Sequence, residues 1–215
     1  GVSYGDHFFR CWVAEKHYTH GTLALADAIK VSCNAFFYQY GNAAGIDSID
    51  RVGDLLGLGK PSGLNLAGEQ PGVLPGPDWM RVSYPQERWS QAYTANVSIG
   101  QGYDLATPLQ MAMAYATLAN RGISYYPRLV KKVLNQDGTP VLDEDGKIAV
   151  PDQPKVHADF RTEVSPADIE LERHGFWNVV NADGGTGGRA RLKGVQVAGK
   201  TGTAQAKYKG REDTI

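Results

Sequence analysis

Val195-Gln-Val-Ala-Gly-Lys-Thr-Gly-Thr-Ala-Gln205 is the stretch whose reading decides the fold, and its centre is Lys200-Thr201-Gly202-Thr203. Val195 and Val197 alternate with polar or small neighbours, the period-two pattern of a half-buried strand. A glycine inside a strand weakens it unless another backbone or a ligand has to come close. Gly202 stands between a lysine and two hydroxyls, so one strand edge offers a cation, donors and uncovered backbone. Such an edge suits a carboxylate-bearing or amide-like ligand lying alongside as an added strand. Taken alone, the tripeptide reads equally well as a strand running into a glycine turn.

Ser32-Cys33-Asn34 precedes Lys200 by 168 positions, inside Ala28-Ile-Lys-Val-Ser-Cys-Asn-Ala-Phe-Phe-Tyr-Gln39. Ser-x-Asn followed by Lys-Thr-Gly is the order of the second and third signatures of the serine penicillin-recognising enzymes. The surroundings agree: His20-Gly21-Thr22, Gly57-Leu-Gly59, Ser98-Ile-Gly-Gln-Gly-Tyr-Asp-Leu-Ala-Thr-Pro-Leu-Gln110 and Ala119-Asn-Arg-Gly122. Together these stretches resemble the transpeptidase domain of class B penicillin-binding proteins, nearest the elongation-type penicillin-binding protein 2 group. The resemblance runs over nearly the whole chain and is thinnest from about 135 to 185.

The resemblance implies an α+β fold, an antiparallel sheet flanked by helices, with residues 1–215 forming a partial transpeptidase domain. It implies that Ser32, Asn34 and Lys200 are catalytic and that Thr201, Gly202 and Thr203 bind substrate. In that scheme Lys200 polarises the Ser32 hydroxyl, Thr201 and Thr203 hold a carboxylate, and the Thr203 N–H is half of an oxyanion hole. The activity implied is peptidoglycan DD-transpeptidation through an acyl-serine, on stem peptides ending in D-Ala-D-Ala, with β-lactams acylating the same serine. The partner implied is a glycosyltransferase of the shape, elongation, division and sporulation family. The place implied is the outer side of the cytoplasmic membrane, by way of an N-terminal anchor. A β-lactamase or DD-carboxypeptidase, and a non-catalytic β-lactam sensor or scaffold, are the alternatives on the same fold.

The first signature, Ser-x-x-Lys, which supplies the acylated serine, is absent: no serine here has a lysine three positions later. The chain is therefore expected to be an internal fragment, incomplete at both ends and inactive by itself. Unpaired sheet edges would also make it poorly soluble.

Composition is that of a globular chain, with 42% hydrophobic residues and a net charge of −1 that argues against nucleic-acid binding. No apolar run reaches the roughly 18 to 20 residues of a membrane helix. Residues 22 to 45 read as helix, turn, helix, with Leu23, Leu25, Ala26, Ala28 and Ile29 forming an apolar face. Asp47 to Leu56 reads as a short helix capped by Asp47 or Ser48, and 59 to 76 as loop. Ala106 to Asn120, with Thr107 as cap and Pro108 in the first turn, predicts a buried central helix. Tyr125 to Leu134 predicts a strand, followed by turns at Asn135–Gly138 and Asp143–Gly146, with 147 to 163 poorly patterned. Ser165-Pro-Ala-Asp168 opens a further helix. Gly184-Gly-Thr-Gly-Gly188 lacks the spacing of a phosphate loop and reads as a flexible or site-bordering loop.

Read without the resemblance, Ser32 and Asn34 are N-cap residues at a helix start. A hydroxyl both donates and accepts, so Ser32 also suits a proton relay. Cys11, His20 and Cys33 are three good zinc ligands. Some elongation-group members resemble this chain in pairing such a histidine with a cysteine inside Ser-x-Asn and an aspartate in Arg-Asp-Trp. Arg10-Cys11-Trp12 occupies the matching place, and Asp6 is a further possible ligand. A structural zinc, a Cys11–Cys33 disulfide and two free thiols stay open from sequence. His7, His17, His157 and His174 carry no partner pattern and read as surface or loop residues.

Overall fold

A computed structural model describes residues 1–203 together with the backbone of 205–208 and 211–214. The chain opens with an antiparallel pair, β1 (Val2–Tyr4) and β2 (His7–Phe9), in the register Val2↔Phe9. A 3-10 turn over Trp12–Lys16 follows, then α1 (Leu25–Lys30) and α2 (Asn34–Ala44). Further on come α3 (Ile46–Leu55), α4 (Pro77–Ser83), α5 (Gln91–Val97) and α6 (Pro108–Ala119). The second pair, β3 (Ile123–Tyr125) and β4 (Val156–Asp159), leads to α7 (Pro166–Asn181). A third pair, β5 (Gln205–Tyr208) and β6 (Arg211–Thr214), lies beyond Thr203. The content is α+β as expected, its antiparallel strands falling in three two-stranded sheets among the described residues.

Local chemistry explains the best-defined helices. At α6 the Thr107 hydroxyl accepts from Gln110 N at 3.2 Å, and Gln110 Oε1 accepts from Thr107 N at 2.8 Å. This reciprocal cap satisfies two donors that a helix start leaves orphaned. The Gln110 amide, 1% exposed, also donates to the carbonyls of Lys60 and Pro71 at 2.9 and 2.8 Å, clamping the 59–76 loop. α7 starts as its sequence demands, with Ser165 Oγ accepting from Asp168 N and Pro166 in the first turn.

Two buried clusters place the cleft. Cys11, Val13, Ala28 and Cys33 form one, beneath the loop between α1 and α2. Ile29, Val179 and Val180 form the other, where α1 packs on α7 with Phe37, Phe176 and Val197 around them. Gly175 permits that approach, since a Cβ there would lie 2.7 Å from Ile29 Cδ1.

Several expectations are corrected. α3 begins at Ile46 after Gly45, not on an Asp47 or Ser48 cap; Ser48 Oγ instead donates to Ala44 O. α6 buries only one face, leaving Met111 and Tyr115 partly exposed. The strand at 125 ends at Tyr125, and Leu129, Val130, Val133 and Leu134 all face solvent. The poorly patterned 147–163 stretch contains β4. The turns at 135–138 and 143–146 form as read, closed by Gly138 N→Asn135 O and Gly146 N→Asp143 O at 3.0 Å each. His157 sits half-buried in β4 with its ring edge-on to Tyr126, whereas His7, His17 and His174 are exposed as read.

One electrostatic cost is built into this packing. Burial pushes the Asp50 and Asp104 carboxyls both up to about 6, with Asp47 and Asp104 adding repulsion at Asp50. Each carboxyl has an oxygen with no hydrogen-bond partner. A carboxylate raised in the fold favours the native state at acid pH, and that contribution is lost as pH rises from 3.8 through about 6. Asp104→Asn is therefore expected to raise the thermal midpoint at pH 7 and to flatten its decline across that window, in scanning fluorimetry against the unaltered chain.

Candidate active site

The turn between α1 and α2 determines where the first motif points. The end of α1 closes with Ser32 N→Ile29 O and Cys33 N→Ala28 O, and Ser32 itself takes φ 55°. Left-handed backbone costs a residue with a Cβ roughly 1–2 kcal/mol, so the turn has to be held by its surroundings. Cys33 caps α2 by position, yet neither Ser32 nor Asn34 makes a side-chain cap there. The capping role open to them from sequence is thus unused.

Lys200 reaches this turn from the other end of the chain. Its Nζ donates to Ser32 Oγ at 2.7 Å across 168 positions, and also to Thr201 O at 3.0 Å. Burial pulls the Lys200 amine below the ordinary lysine value. Desolvation disfavours the charged ammonium, so the amine gives up a proton more readily than an exposed lysine does. Because the amine donates to Oγ, the proton on Ser32 is left free for another acceptor.

Ser32, Asn34, Lys200, Thr201, Gly202 and Thr203 all line one cleft of about 1190 Å3. Thr201, Gly202 and Thr203 are exposed along it, whereas Lys200 and Ser32 are half-buried. Residues 196–203 are not paired as a strand, contrary to the period-two reading. Their backbone is held by α7 instead: Gly199 N donates to Phe176 O, and Asn181 Nδ2 donates to Val197 O at 2.8 Å. The cleft carries donors and two cations, Lys200 and Arg10, but among the described residues no serine–lysine pair of the Ser-x-x-Lys kind.

Three contacts were not legible in the sequence. Trp12 Nε1 donates to Ser32 O at 3.0 Å, Gln101 Nε2 donates to Thr203 O at 2.9 Å, and the Thr186 and Thr201 hydroxyls meet at 3.0 Å. The last two tie the Gly-Gln-Gly wall and the 184–188 loop to the Lys-Thr-Gly segment. That loop is packed rather than free, with Gly187 N donating to Val179 O at 2.8 Å.

The cysteines lie directly beneath Ser32. Cys11 and Cys33 are buried and unbonded, with Sγ atoms 4.0 Å apart, and Cys11 Sγ is 3.6 Å from His20 Nδ1. The disulfide allowed by sequence is thus not formed. Burial raises the Cys33 thiol and lowers the His20 imidazole. Cys11, His20 and Cys33 bring their ligand atoms within 4.8 Å of one another. Asp6 stands apart from them, its carboxylate 3.6 Å from His7 Nε2.

Comparison with known proteins adds the following. A family model described as penicillin binding protein transpeptidase domain matches residues 1–214. The chain is 35% identical over 205 residues to the peptidoglycan D,D-transpeptidase MrdA of Acinetobacter baumannii, covering 94% of this chain and 28% of that protein. The PBP2 of Helicobacter pylori, solved in complex with MreC, superposes with a TM-score of 0.76 at 27% identity, covering 98% of this chain and 35% of that one. A structure of a peptidoglycan synthase complex that coordinates polymerization and crosslinking gives 0.73 at 30% identity, covering 96% and 32%. The chain thus spans about three-tenths of the curated relative's length.

The geometry at Ser32 separates two substitutions. Glycine adopts φ 55° without the Cβ penalty, whereas alanine keeps the penalty and loses the Lys200 contact. Ser32→Gly is expected to be more stable than Ser32→Ala by about 1 kcal/mol in urea unfolding. Equal stabilities would show that the turn is not strained.

Proposed function

The chain belongs to the penicillin-binding protein transpeptidase family, of the PBP2/MrdA type, and from that premise we propose that it serves a peptidoglycan DD-transpeptidase. The observation that carries the reading is the 2.7 Å contact between Lys200 Nζ and Ser32 Oγ inside the cleft. In this reading the serine of the family's Ser-x-x-Lys motif, which this sequence does not contain, attacks the D-Ala–D-Ala amide. The proton given up by that serine passes by way of the motif's lysine to Ser32, while Ser32, polarised by Lys200, hands its own proton to the departing D-Ala amine as the C–N bond breaks. An amine of a neighbouring stem peptide then attacks the ester, and the serine is released. Asn34 braces substrate amides with its paired donor and acceptor groups. Thr201 and Thr203 hold the terminal carboxylate, Gly202 lets the substrate backbone approach, and the Thr203 N–H supports the developing oxyanion. None of these steps calls for a catalytic cofactor, in keeping with the family.

The wider setting follows from the same premise. Residues 1–215 form part of the transpeptidase domain, and β-lactams acylate the same serine as the stem peptide. The protein works with a shape and elongation glycosyltransferase, outside the cytoplasmic membrane. Among the described residues no helix is long and apolar enough to cross a membrane.

A structural zinc held by Cys11, His20 and Cys33 completes the proposal. Two sulfurs and one imidazole nitrogen are the donors zinc prefers, and their mutual approach to within 4.8 Å fits a shared ion. The metal would cross-link the 3-10 turn to the Ser32 loop and take no part in proton transfer.

Two measurements test these statements. Full-length protein carrying this sequence should form a stable adduct with a fluorescent penicillin, and Lys200→Ala should slow labelling by about 10²-fold or more. Absence of an adduct on folded protein rejects the transpeptidase reading; an unchanged rate in the variant rejects the role of Lys200 alone. For the metal, protein folded with zinc should retain about one equivalent by mass spectrometry. Cys33→Ser should lose both that zinc and several degrees of thermal midpoint.

A further inference from the structure

We propose that Trp12 is a positioning residue for the acyl-transfer step, holding Ser32 in the backbone conformation that brings its hydroxyl to Lys200. The inference rests on the transpeptidase reading above, but its evidence is separate. α1 has six residues, and its last carbonyls lack partners within the helix. Those are taken up by Val31 N, Cys33 N, Ser32 N and Thr186 N. Trp12 supplies one donor for the next two carbonyls along the chain, its Nε1 lying 3.2 Å from Val31 O and 3.0 Å from Ser32 O. An indole N–H only donates, so the bond can be satisfied in one direction alone.

Those two carbonyls belong to the peptide units on either side of the Ser32 Cα, whose φ is left-handed. Drawing both toward one indole fixes the peptide planes on either side of the Ser32 Cα. The hydroxyl is thereby turned to the opposite face, where Lys200 Nζ meets it at 2.7 Å. Without the indole donor the turn is left to its Ser32 N→Ile29 O and Cys33 N→Ala28 O bonds, and any relaxation toward the ordinary φ region carries Oγ away from the amine. Among the described residues Lys200 then retains Thr201 O as its acceptor. The indole itself is held from two sides, with the Lys16 ammonium 5.0 Å from the ring centroid and the His20 ring edge-on at 5.6 Å. It therefore presents its N–H from a fixed direction.

The carboxylate-binding side of the cleft is built from other contacts. Thr201 and Thr203 are tied to Thr186 and Gln101, neither of which touches Trp12 in these hydrogen bonds. Loss of the indole N–H should thus slow proton transfer and leave recognition of the ligand unchanged.

The test uses full-length protein carrying this sequence and a fluorescent penicillin, with the acylation rate and the dissociation constant of the pre-acylation complex measured separately. Trp12→Phe keeps an aromatic ring and removes the donor. A second variant carries benzothienylalanine at position 12, which keeps the indole shape and puts sulfur where the N–H was. Both should acylate about tenfold more slowly, the loss of about 1.4 kcal/mol of transition-state stabilisation. The dissociation constant, thermal midpoint and zinc content of the benzothienyl variant should match those of the unaltered protein. The basic limb of the pH–rate profile should also move, since Lys200 has lost its Ser32 partner. A benzothienyl variant that acylates at the unaltered rate overturns the inference, as does one whose affinity and midpoint fall in step with its rate. An unaltered protein that forms no adduct takes down the transpeptidase reading and this inference together.

Discussion

An amine and a hydroxyl that begin 168 residues apart finish 2.7 Å from one another, and the rest of the molecule is arranged around that meeting. The two groups are carried by different bodies. Ser32 sits at the end of α1, and Lys200 on an extended segment laid along α7. Their separation is therefore set by how closely α1 and α7 approach, which Gly175 and Ile29 decide. Small adjustments at that packed contact reach the cleft directly because close-packed interiors transmit displacement. Burial at the same place lowers the proton affinity of the Lys200 amine, so packing and chemistry are one constraint rather than two.

Much of this arrangement is written locally in the sequence. The caps of α6 and α7 are short-range signals, a threonine or serine followed by proline and a residue that closes the first turn, and both form as read. The helix–turn–helix around Ser32 follows from apolar spacing, and the six motif residues meet in one cleft. What stays hidden is long-range. Trp12 bonds to carbonyls 19 and 20 positions away and leaves no trace in periodicity. The alternation of Val195 and Val197 reports neither an inward face, since Val195 is exposed and Val197 half-buried, nor where the backbone hydrogen bonds go, and beyond Val195 they go to α7. Leu129, Val130 and Val133 mislead for a related reason, since β-branched and aliphatic residues mark strands only when something covers them. The raised pKa values of Asp50 and Asp104 arise chiefly from burial, which no window of sequence contains, although the repulsion of Asp47 on Asp50 is local.

The site also shows how a fold divides its labour. Elements with regular backbone set distances, whereas the groups that face the cleft sit on turns and on an extended segment outside any sheet. Loops of this kind bear function because a scaffold positions them and their backbone is free to serve a ligand. Here the freedom is limited by cross-ties. Gln101 and Thr186 hold Thr203 and Thr201, Trp12 holds Ser32, and the Cys11, His20 and Cys33 cluster lies under the Ser32 turn. Each tie joins parts of the chain that local folding alone would not bring together.

The pairing of α1 with α7 has a consequence for how the molecule comes into being. Contacts between residues 25–30 and 166–181 close a loop of well over a hundred residues, and such non-local contacts are made slowly because the entropy of closure precedes any reward. On the ribosome, synthesis runs N-terminal first, so the Ser32 turn is complete long before the helix that will face it exists. Through that interval the turn has its indole tether and its α1 bonds, but no lysine. Assembly of the cleft is thus a late step, taken only when α7 emerges and docks, and chemical competence is the last property this part of the chain acquires.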